Sequence, residues 1–118
     1  MLTGALLGII EDAGKAVLTL TEGVDDATLF SLRLTREESV RQLLVIADTA
    51  TNLPAEVRAT LAAIDWDGWS VTARVLRGPY SGAARDALSF GVRSMVPATL
   101  MGLRLYRKSH PGLFAFKP

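Results

Sequence analysis

The chain has 118 residues, of which 49% are hydrophobic and 21% are charged, and this composition is typical of one globular domain with its own core. The absence of cysteine and the presence of only one histidine, His110, exclude a disulfide framework, a thiol nucleophile and a cysteine-based or histidine-rich metal centre. The formal net charge of +1 hides a strong asymmetry along the chain. Residues 1–70 hold 11 acidic and 5 basic side chains, whereas residues 71–118 hold 8 basic ones and a single acid, Asp86. We therefore expect a charged partner for the second half.

The apolar segment 1–10 resembles a signal peptide in composition only. It has no basic start and no small-residue cleavage site, and Glu11 and Asp12 follow it directly. It is also about half as long as a helix that spans a bilayer. We interpret it as the start of a buried helix, and we expect a cytoplasmic protein without a membrane partner.

In the first half of the chain, apolar residues follow helical spacing. The first predicted helix presents one apolar face, which consists of Leu6, Ile10, Ala13, Val17 and Leu20. Thr3 is its candidate N-cap. After a turn-rich break, Thr35 and Glu38 form a capping box that predicts the start of a second long helix. Asn52 and Pro54 end that helix and begin a short third one, because proline suits a first helical turn and breaks an interior.

The second half is predicted to be helical as well. Asp65 begins a fourth helix, since an acidic residue is favourable at the positive end of the helix dipole, and Gly78–Pro79 ends it. A last long helix is predicted over about residues 83–108, and Pro97 is expected to kink or divide it. The apolar tail, residues 109–118, is expected to fold back or to be covered by a partner. The pattern predicts an all-α bundle of about five helices.

Several short segments occur in an order that resembles the HepT-like HEPN family. They are RLTRE at 33–37, RQLLVIA at 41–47, NLP at 52–54, VR at 57–58 and IDW at 64–66. The similarity covers roughly residues 6–106 and has no gap between Thr35 and Pro97. The resemblance implies that residues 1–108 form one HEPN-like up-and-down helical domain. It also implies a minimal nucleotidyltransferase as the partner in a toxin–antitoxin module.

The family's catalytic motif is incomplete in this chain. Active members carry an arginine, an asparagine, then a histidine and a tyrosine, and two such motifs meet across a dimer interface to cleave RNA. Carried over position by position, these four fall on Ala73, Arg74, Gly78 and Tyr80. In the family the histidine moves a proton and the arginine stabilises phosphoryl charge. Both groups are missing here, because alanine and glycine stand at their positions. We identify no catalytic residue and expect no ribonuclease activity.

Tyr80 is the one motif residue that remains. In HepT-like proteins the motif tyrosine can be modified with AMP by the paired nucleotidyltransferase, so the resemblance makes Tyr80 a candidate modification site. The alternative is that its ring packs over one end of the bundle.

Arginines dominate the positive half of the chain, and Arg74, Arg77 and Arg85 lie around Tyr80 in the sequence. Guanidinium groups match carboxylates and phosphates well, so these four residues form the candidate binding surface for a protein partner or for RNA. The alternative is a solvated helix face whose cations pair within the chain. The acids expected to pair with them are Asp25, Asp26, Glu37 and Glu38.

The leading functional prediction is a catalytically degenerate HepT-like protein that binds a minimal nucleotidyltransferase, as a homodimer or in a hetero-oligomer. One alternative is a ribonuclease toxin with a displaced motif, silenced by its nucleotidyltransferase antitoxin. The other is a structural homodimer without a nucleotide-linked function. The sequence contains no motif for a cofactor or a metal ion, and it leaves open whether the protein is the toxin or the antitoxin.

Overall fold

The computed structural model describes residues 2–115, and this part of the chain consists of helices joined by short turns, without a β-strand. The helices are α1 (Leu2–Thr21), α2 (Asp26–Ser31), α3 (Arg33–Asn52), α4 (Ala55–Thr60), α5 (Trp66–Leu76), α6 (Gly82–Phe90) and α7 (Val96–Ser109). A π-helical turn, Gly91–Met95, joins α6 to α7, and a 3₁₀ turn, Pro111–Phe114, follows α7. The predicted all-α class is confirmed, but the described residues form seven α-helices instead of about five, since α2 was not predicted as a helix and the last predicted helix is divided. The predicted last long helix is α6, the π turn and α7 together.

The core lies between the long helices, with α1 packed on α3 and α7, and α3 also packed on α5. Helices α1 and α7 run in opposite directions, because Glu11 pairs with Arg107 while Gly14 lies against Leu100. The predicted apolar face of α1 is largely confirmed. Its members Ile10, Ala13 and Val17 are buried, and Leu6 and Leu20 are half-buried.

The predicted capping box at the start of α3 is wrong. The helix begins at Arg33, so Thr35 lies inside its first turn. The N-cap is Leu32, which also ends α2, and its carbonyl accepts a hydrogen bond from the Arg36 backbone N–H at 2.8 Å. Because α2 runs almost directly into α3, no loop precedes Thr35. Glu38 therefore accepts hydrogen bonds from the Arg41 and Gln42 side chains instead.

Side-chain caps do begin two other helices. Asp65 accepts a hydrogen bond from the Gly68 backbone N–H at 2.9 Å, which confirms the predicted start of α5. Asp25 caps α2 in the same way, through the Thr28 N–H at 2.8 Å. Thr3 lies within the first turn of α1, which begins at Leu2, so it is not the N-cap.

Pro97 marks a change in helix type. Proline has no N–H to donate and its ring crowds the carbonyl four residues earlier, here that of Arg93. The preceding residues 91–95 form a π turn, and α7 continues from Val96 with proline in its first turn. The predicted interruption is confirmed, and it takes the form of this π turn.

The described part of the C-terminal tail, residues 109–115, folds back onto the bundle, which was one of the two expected outcomes. Phe114 is buried in the core, and the 3₁₀ turn that carries it packs on α1 and α7. Arg107 lies over the Phe114 ring, with its guanidinium carbon 4.6 Å from the ring centroid. Leu113 is half-buried, and Phe116 lies outside the described residues. Within residues 2–115, no helix has the length and hydropathy needed to cross a bilayer.

Candidate functional site

The four motif positions lie at the C-terminal end of α5 and in the turn that leads to α6. Ala73 faces the core and is buried, while Arg74 beside it is exposed. Gly78 and Tyr80 belong to the exposed turn 77–81. Helix α5 is fixed in place by Trp69, whose buried indole N–H donates a hydrogen bond to the Thr99 hydroxyl of α7 at 3.0 Å. The turn is therefore held at one end of a well-anchored helix.

The side chain of Arg77 forms an ion pair within the chain. Its Nη2 donates to both carboxylate oxygens of Asp48 on α3, at 2.5 and 2.6 Å. This ion pair ties the end of α5 to α3. Asp48 was not among the acids expected to pair with the arginines of the second half. Of those acids, Asp26 does so, with Arg93 at 3.2 Å.

Two guanidinium groups lie close to the Tyr80 ring. The Cζ atom of Arg36 is 4.5 Å from the centroid of the Tyr80 ring, and that of Arg85 is 5.8 Å from it. Both distances fall within the range of cation–π attraction. Arg36 is also held from α2, because its Nη1 donates to the Phe30 carbonyl at 2.6 Å. The ring stays 50% exposed, so the turn presents an aromatic surface with two positive charges beside it.

A cleft of about 210 Å³ opens next to this ring, between α3, α5 and α6. Its lining is mostly apolar and consists of Arg36, Glu37, Val40, Leu76, Gly78, Tyr80, Ala84 and Leu88. The Glu37 carboxylate is 3.8 Å from the Arg33 guanidinium, an exposed i,i+4 pair that partly neutralises it. The cleft therefore combines an apolar floor with a positive rim, which suits an apolar side chain that carries or adjoins an anionic group.

Of the four predicted binding residues, the structure brings Tyr80 and Arg85 together. Arg77 points to Asp48 instead, and the exposed side chain of Arg74 makes no hydrogen bond or ion pair within residues 2–115. Sequence reasoning missed Arg36, which is the closest cation to the ring. Its role depends on a contact between α3 and the turn after α5, and no local pattern signals such a contact.

His110 lies at the opposite end of α5 from Tyr80. Its ring contacts that of Tyr106 edge-on at 5.8 Å, and the Tyr106 hydroxyl accepts a hydrogen bond from Ala63, just before α5 begins. Helix α5 has 11 residues and is thus about 16 Å long. His110 is therefore not part of the Tyr80 site within one chain.

Comparison with known proteins gives no relative for this chain. No protein-family model matches it, and no curated protein and no solved structure matches it either. The resemblance to HepT-like HEPN proteins therefore rests on the order of the sequence elements and on the motif positions.

Proposed function

We propose that this chain is a HepT-like HEPN binding protein that docks a minimal nucleotidyltransferase and does not cleave RNA itself. The observation that carries the proposal is the half-exposed Tyr80 ring with the guanidinium groups of Arg36 and Arg85 close to it. Such a surface offers stacking area and several N–H donors to an acidic partner. Its role in a toxin–antitoxin module is then to hold or block the nucleotide site of the partner.

Binding is favoured over cleavage by the side chains at the motif positions. Cleavage of RNA by a general acid–base route needs a group that exchanges a proton near neutral pH, and arginine and tyrosine do not ordinarily do so. Position 73 holds a buried alanine and position 78 a glycine without a side chain. The groups that remain suit the retention of an anion better than the transfer of a proton.

Binding is tested by co-expressing this chain with the product of a minimal nucleotidyltransferase gene, taken from next to its own gene if one lies there. We expect the two proteins to co-purify, and we expect Arg85→Glu to weaken the complex about tenfold or more, since an attractive charge becomes a repulsive one. The matched control is Lys15→Glu, the same change of charge at an exposed position on α1. Equal affinity of the Arg85→Glu variant and the wild type would contradict the proposed surface.

Cleavage is tested separately by incubating the purified chain with RNA. We expect no cleavage above that of a Tyr80→Phe preparation. Robust cleavage that Arg74→Ala or Tyr80→Phe abolishes would favour the alternative of a ribonuclease with a displaced motif.

The same turn supports a proposal that Tyr80 accepts AMP. Its hydroxyl makes no hydrogen bond within residues 2–115, and its ring is half exposed. Tyr106, the other tyrosine, is half-buried, and its hydroxyl is bonded to the Ala63 N–H at 3.0 Å. After incubation with the nucleotidyltransferase and ATP, we expect mass spectrometry to find AMP on Tyr80 and none on Tyr106. An unmodified Tyr80 would contradict this second proposal and would leave the docking proposal intact.

A further inference from the structure

The cleft beside Tyr80 has the size of one side chain. Its volume of about 210 Å³ is below the roughly 300–1,000 Å³ of ordinary small-molecule sites. Its lining is largely apolar, with Val40 from α3, Leu76 from α5 and Leu88 from α6. Val40 and Leu76 are only half-buried, so the fold leaves part of this apolar surface uncovered. The cleft therefore suits a single apolar side chain better than a whole nucleotide.

Arg36 places a positive charge at the edge of the same cleft. Arg36 and Tyr80 both line it, and the guanidinium carbon lies 4.5 Å from the ring centroid. Only Nη1 of this guanidinium is used, in the hydrogen bond to the Phe30 carbonyl. Its other nitrogens make no hydrogen bond to any residue between 2 and 115. Donors of Arg36 are therefore left for a ligand.

The acid nearest to Arg36 in the sequence does not neutralise it. Glu37 also lines the cleft, but its carboxylate pairs with Arg33 at 3.8 Å. Arg36 makes no ion pair within residues 2–115, and Arg85 adds a second guanidinium 5.8 Å from the Tyr80 ring. The ligand that complements this site is an apolar group with a carboxylate beside it.

The short distance between the cation and the apolar lining restricts where that carboxylate can be. In an extended peptide, neighbouring side chains point to opposite sides, and the next one on the same side lies about 7 Å further along. The last residue of a chain instead carries its side chain and its α-carboxylate on one Cα atom. A C-terminal apolar residue therefore matches a cation that lies 4.5 Å from the centre of a ring in the cleft wall.

We propose that the cleft binds the C-terminal residue of the partner protein. Its apolar side chain, of about the size of leucine, packs on Val40 and Leu76, and its α-carboxylate accepts hydrogen bonds from Arg36. This inference rests on the proposed docking of a minimal nucleotidyltransferase, and it names the part of that partner that is held beside Tyr80.

NMR titration of the full chain with short peptides tests the site without any change to the protein. The probe is an acetylated hexapeptide of serine and glycine that ends in leucine with a free carboxylate. We expect the backbone amide signals of Gly78 and Ala84, which line the cleft, to shift with a dissociation constant on the order of 1 mM. The absence of shifts at both amides would overturn the proposal.

Two matched peptides separate the two parts of the ligand. The same peptide as a C-terminal amide lacks the charge, and the same peptide ending in serine lacks the apolar side chain. We expect each to bind at least about tenfold more weakly than the leucine acid. Equal binding of the leucine acid and its amide would overturn the proposal.

A fourth peptide tests a carboxylate inside the chain as the alternative source. It ends in leucine amide and carries aspartate two positions before the leucine. We expect it to bind as weakly as the plain leucine amide. Affinity equal to that of the leucine acid would overturn docking through the chain end.

The variant Arg36→Gln tests the cation. We expect it to bind the leucine acid at least about tenfold more weakly, and unchanged affinity would contradict the assigned role of Arg36. The matched control is Arg104→Gln, the same change at an exposed arginine of α7 that has no ion pair within residues 2–115. If loss of the bond to Phe30 unfolds Arg36→Gln, the comparison of acid and amide on the natural chain decides.

Extension of the nucleotidyltransferase separates this inference from the docking proposal. Several glycine and serine residues added to its C-terminus move the α-carboxylate away from its last natural residue. We expect the extended partner to bind about tenfold more weakly. Equal binding of the extended and natural partners would overturn the inference and leave the docking proposal in place. Binding of the leucine acid without any binding of the nucleotidyltransferase would contradict the docking proposal alone.

Discussion

The anchoring of α5 depends on one buried hydrogen bond between side chains. Trp69 is fully buried, and the Thr99 hydroxyl is the acceptor for its indole N–H. In Thr99→Val the shape is nearly kept while the acceptor is lost, so we expect the free energy of unfolding to fall by about 1–3 kcal/mol. Urea denaturation measures this loss. Thr99→Ser keeps the hydroxyl and is the control, and a valine variant as stable as the serine variant would contradict the role of this bond.

Glu38 gives the protein a specific sensitivity to acid. Hydrogen bonds from Arg41 and then Gln42 lower the pKa of this carboxyl from 4.5 to about 2. Because the folded-state pKa is the lower one, this contribution to stability is complete above pH 4.5 and is lost as the pH falls towards 2. We expect Glu38→Gln to flatten the profile of Tm against pH in this window.

The matched control for that profile is Glu56→Gln on α4. Glu56 is exposed and has no ion pair within residues 2–115. The control should keep the wild-type slope between pH 4.5 and 2. If Glu38→Gln also keeps that slope, its hydrogen bonds to Arg41 and Gln42 do not persist in solution.

At the residue scale, the sequence predicted contacts between residues that are near neighbours in the chain. It failed where a contact between distant residues sets the helix start or the position of a side chain. The Asp65 cap was predictable because its acceptor and donor are three positions apart. Thr35 has the same local signature, but the close approach of α2 moves the helix start to Arg33. Arg36 contacts Tyr80 because α3 packs on α5, and the sequence alone does not predict this contact.

At the element scale, the 3₁₀ turn closes the bundle because it fits directly against α1. A side chain at Gly4 would overlap the backbone carbonyl of Ala115. We expect Gly4→Ala to displace this turn, expose Phe114 and lower the free energy of unfolding by about 1–3 kcal/mol. Chemical denaturation measures the loss, and limited proteolysis reports the release of the turn. Gly112→Ala, where an added Cβ meets no atom within 4 Å, should behave like the wild type.

The π turn shows how much of a helix's course can be predicted from the sequence alone. Proline signals that regular helical bonding must fail near Pro97, and this is a local property. Whether the chain kinks, breaks or widens depends on what the neighbouring helices accept. Here Gly91 brings the backbone close to the Leu43 side chain of α3, so the π turn packs against that helix without a break in the chain.

At the scale of the whole molecule, part of the charge asymmetry is used to join the two halves of the chain. Ion pairs link Arg77 to Asp48, Arg93 to Asp26, and Arg107 to Glu11. Each joins a cation from the second half to an acid from the first. The predicted intramolecular pairing and the predicted binding surface are therefore not exclusive. Composition shows the asymmetry, but only the packed helices show which cations remain without an acidic neighbour.

The cations without an ion pair predict that salt affects partner binding more than it affects folding. Arg74 and Arg85 are exposed and make no ion pair within residues 2–115, so their charges are available to the proposed acidic partner. Raising the ionic strength from about 0.1 M to about 1 M shortens the screening length from roughly 10 Å to roughly 3 Å. We expect the affinity for the proposed nucleotidyltransferase partner, measured by titration calorimetry, to fall steeply over this range.

The free energy of unfolding of the chain alone should change little over the same range. The three ion pairs between the halves are partly exposed, and pairs of this kind contribute about 0–1 kcal/mol each. Arg85→Ala should reduce the slope of affinity against salt, whereas Lys15→Ala on α1 should leave it unchanged. An affinity that is insensitive to salt would mean that the apolar cleft beside Tyr80, and not the positive charge around it, holds the partner.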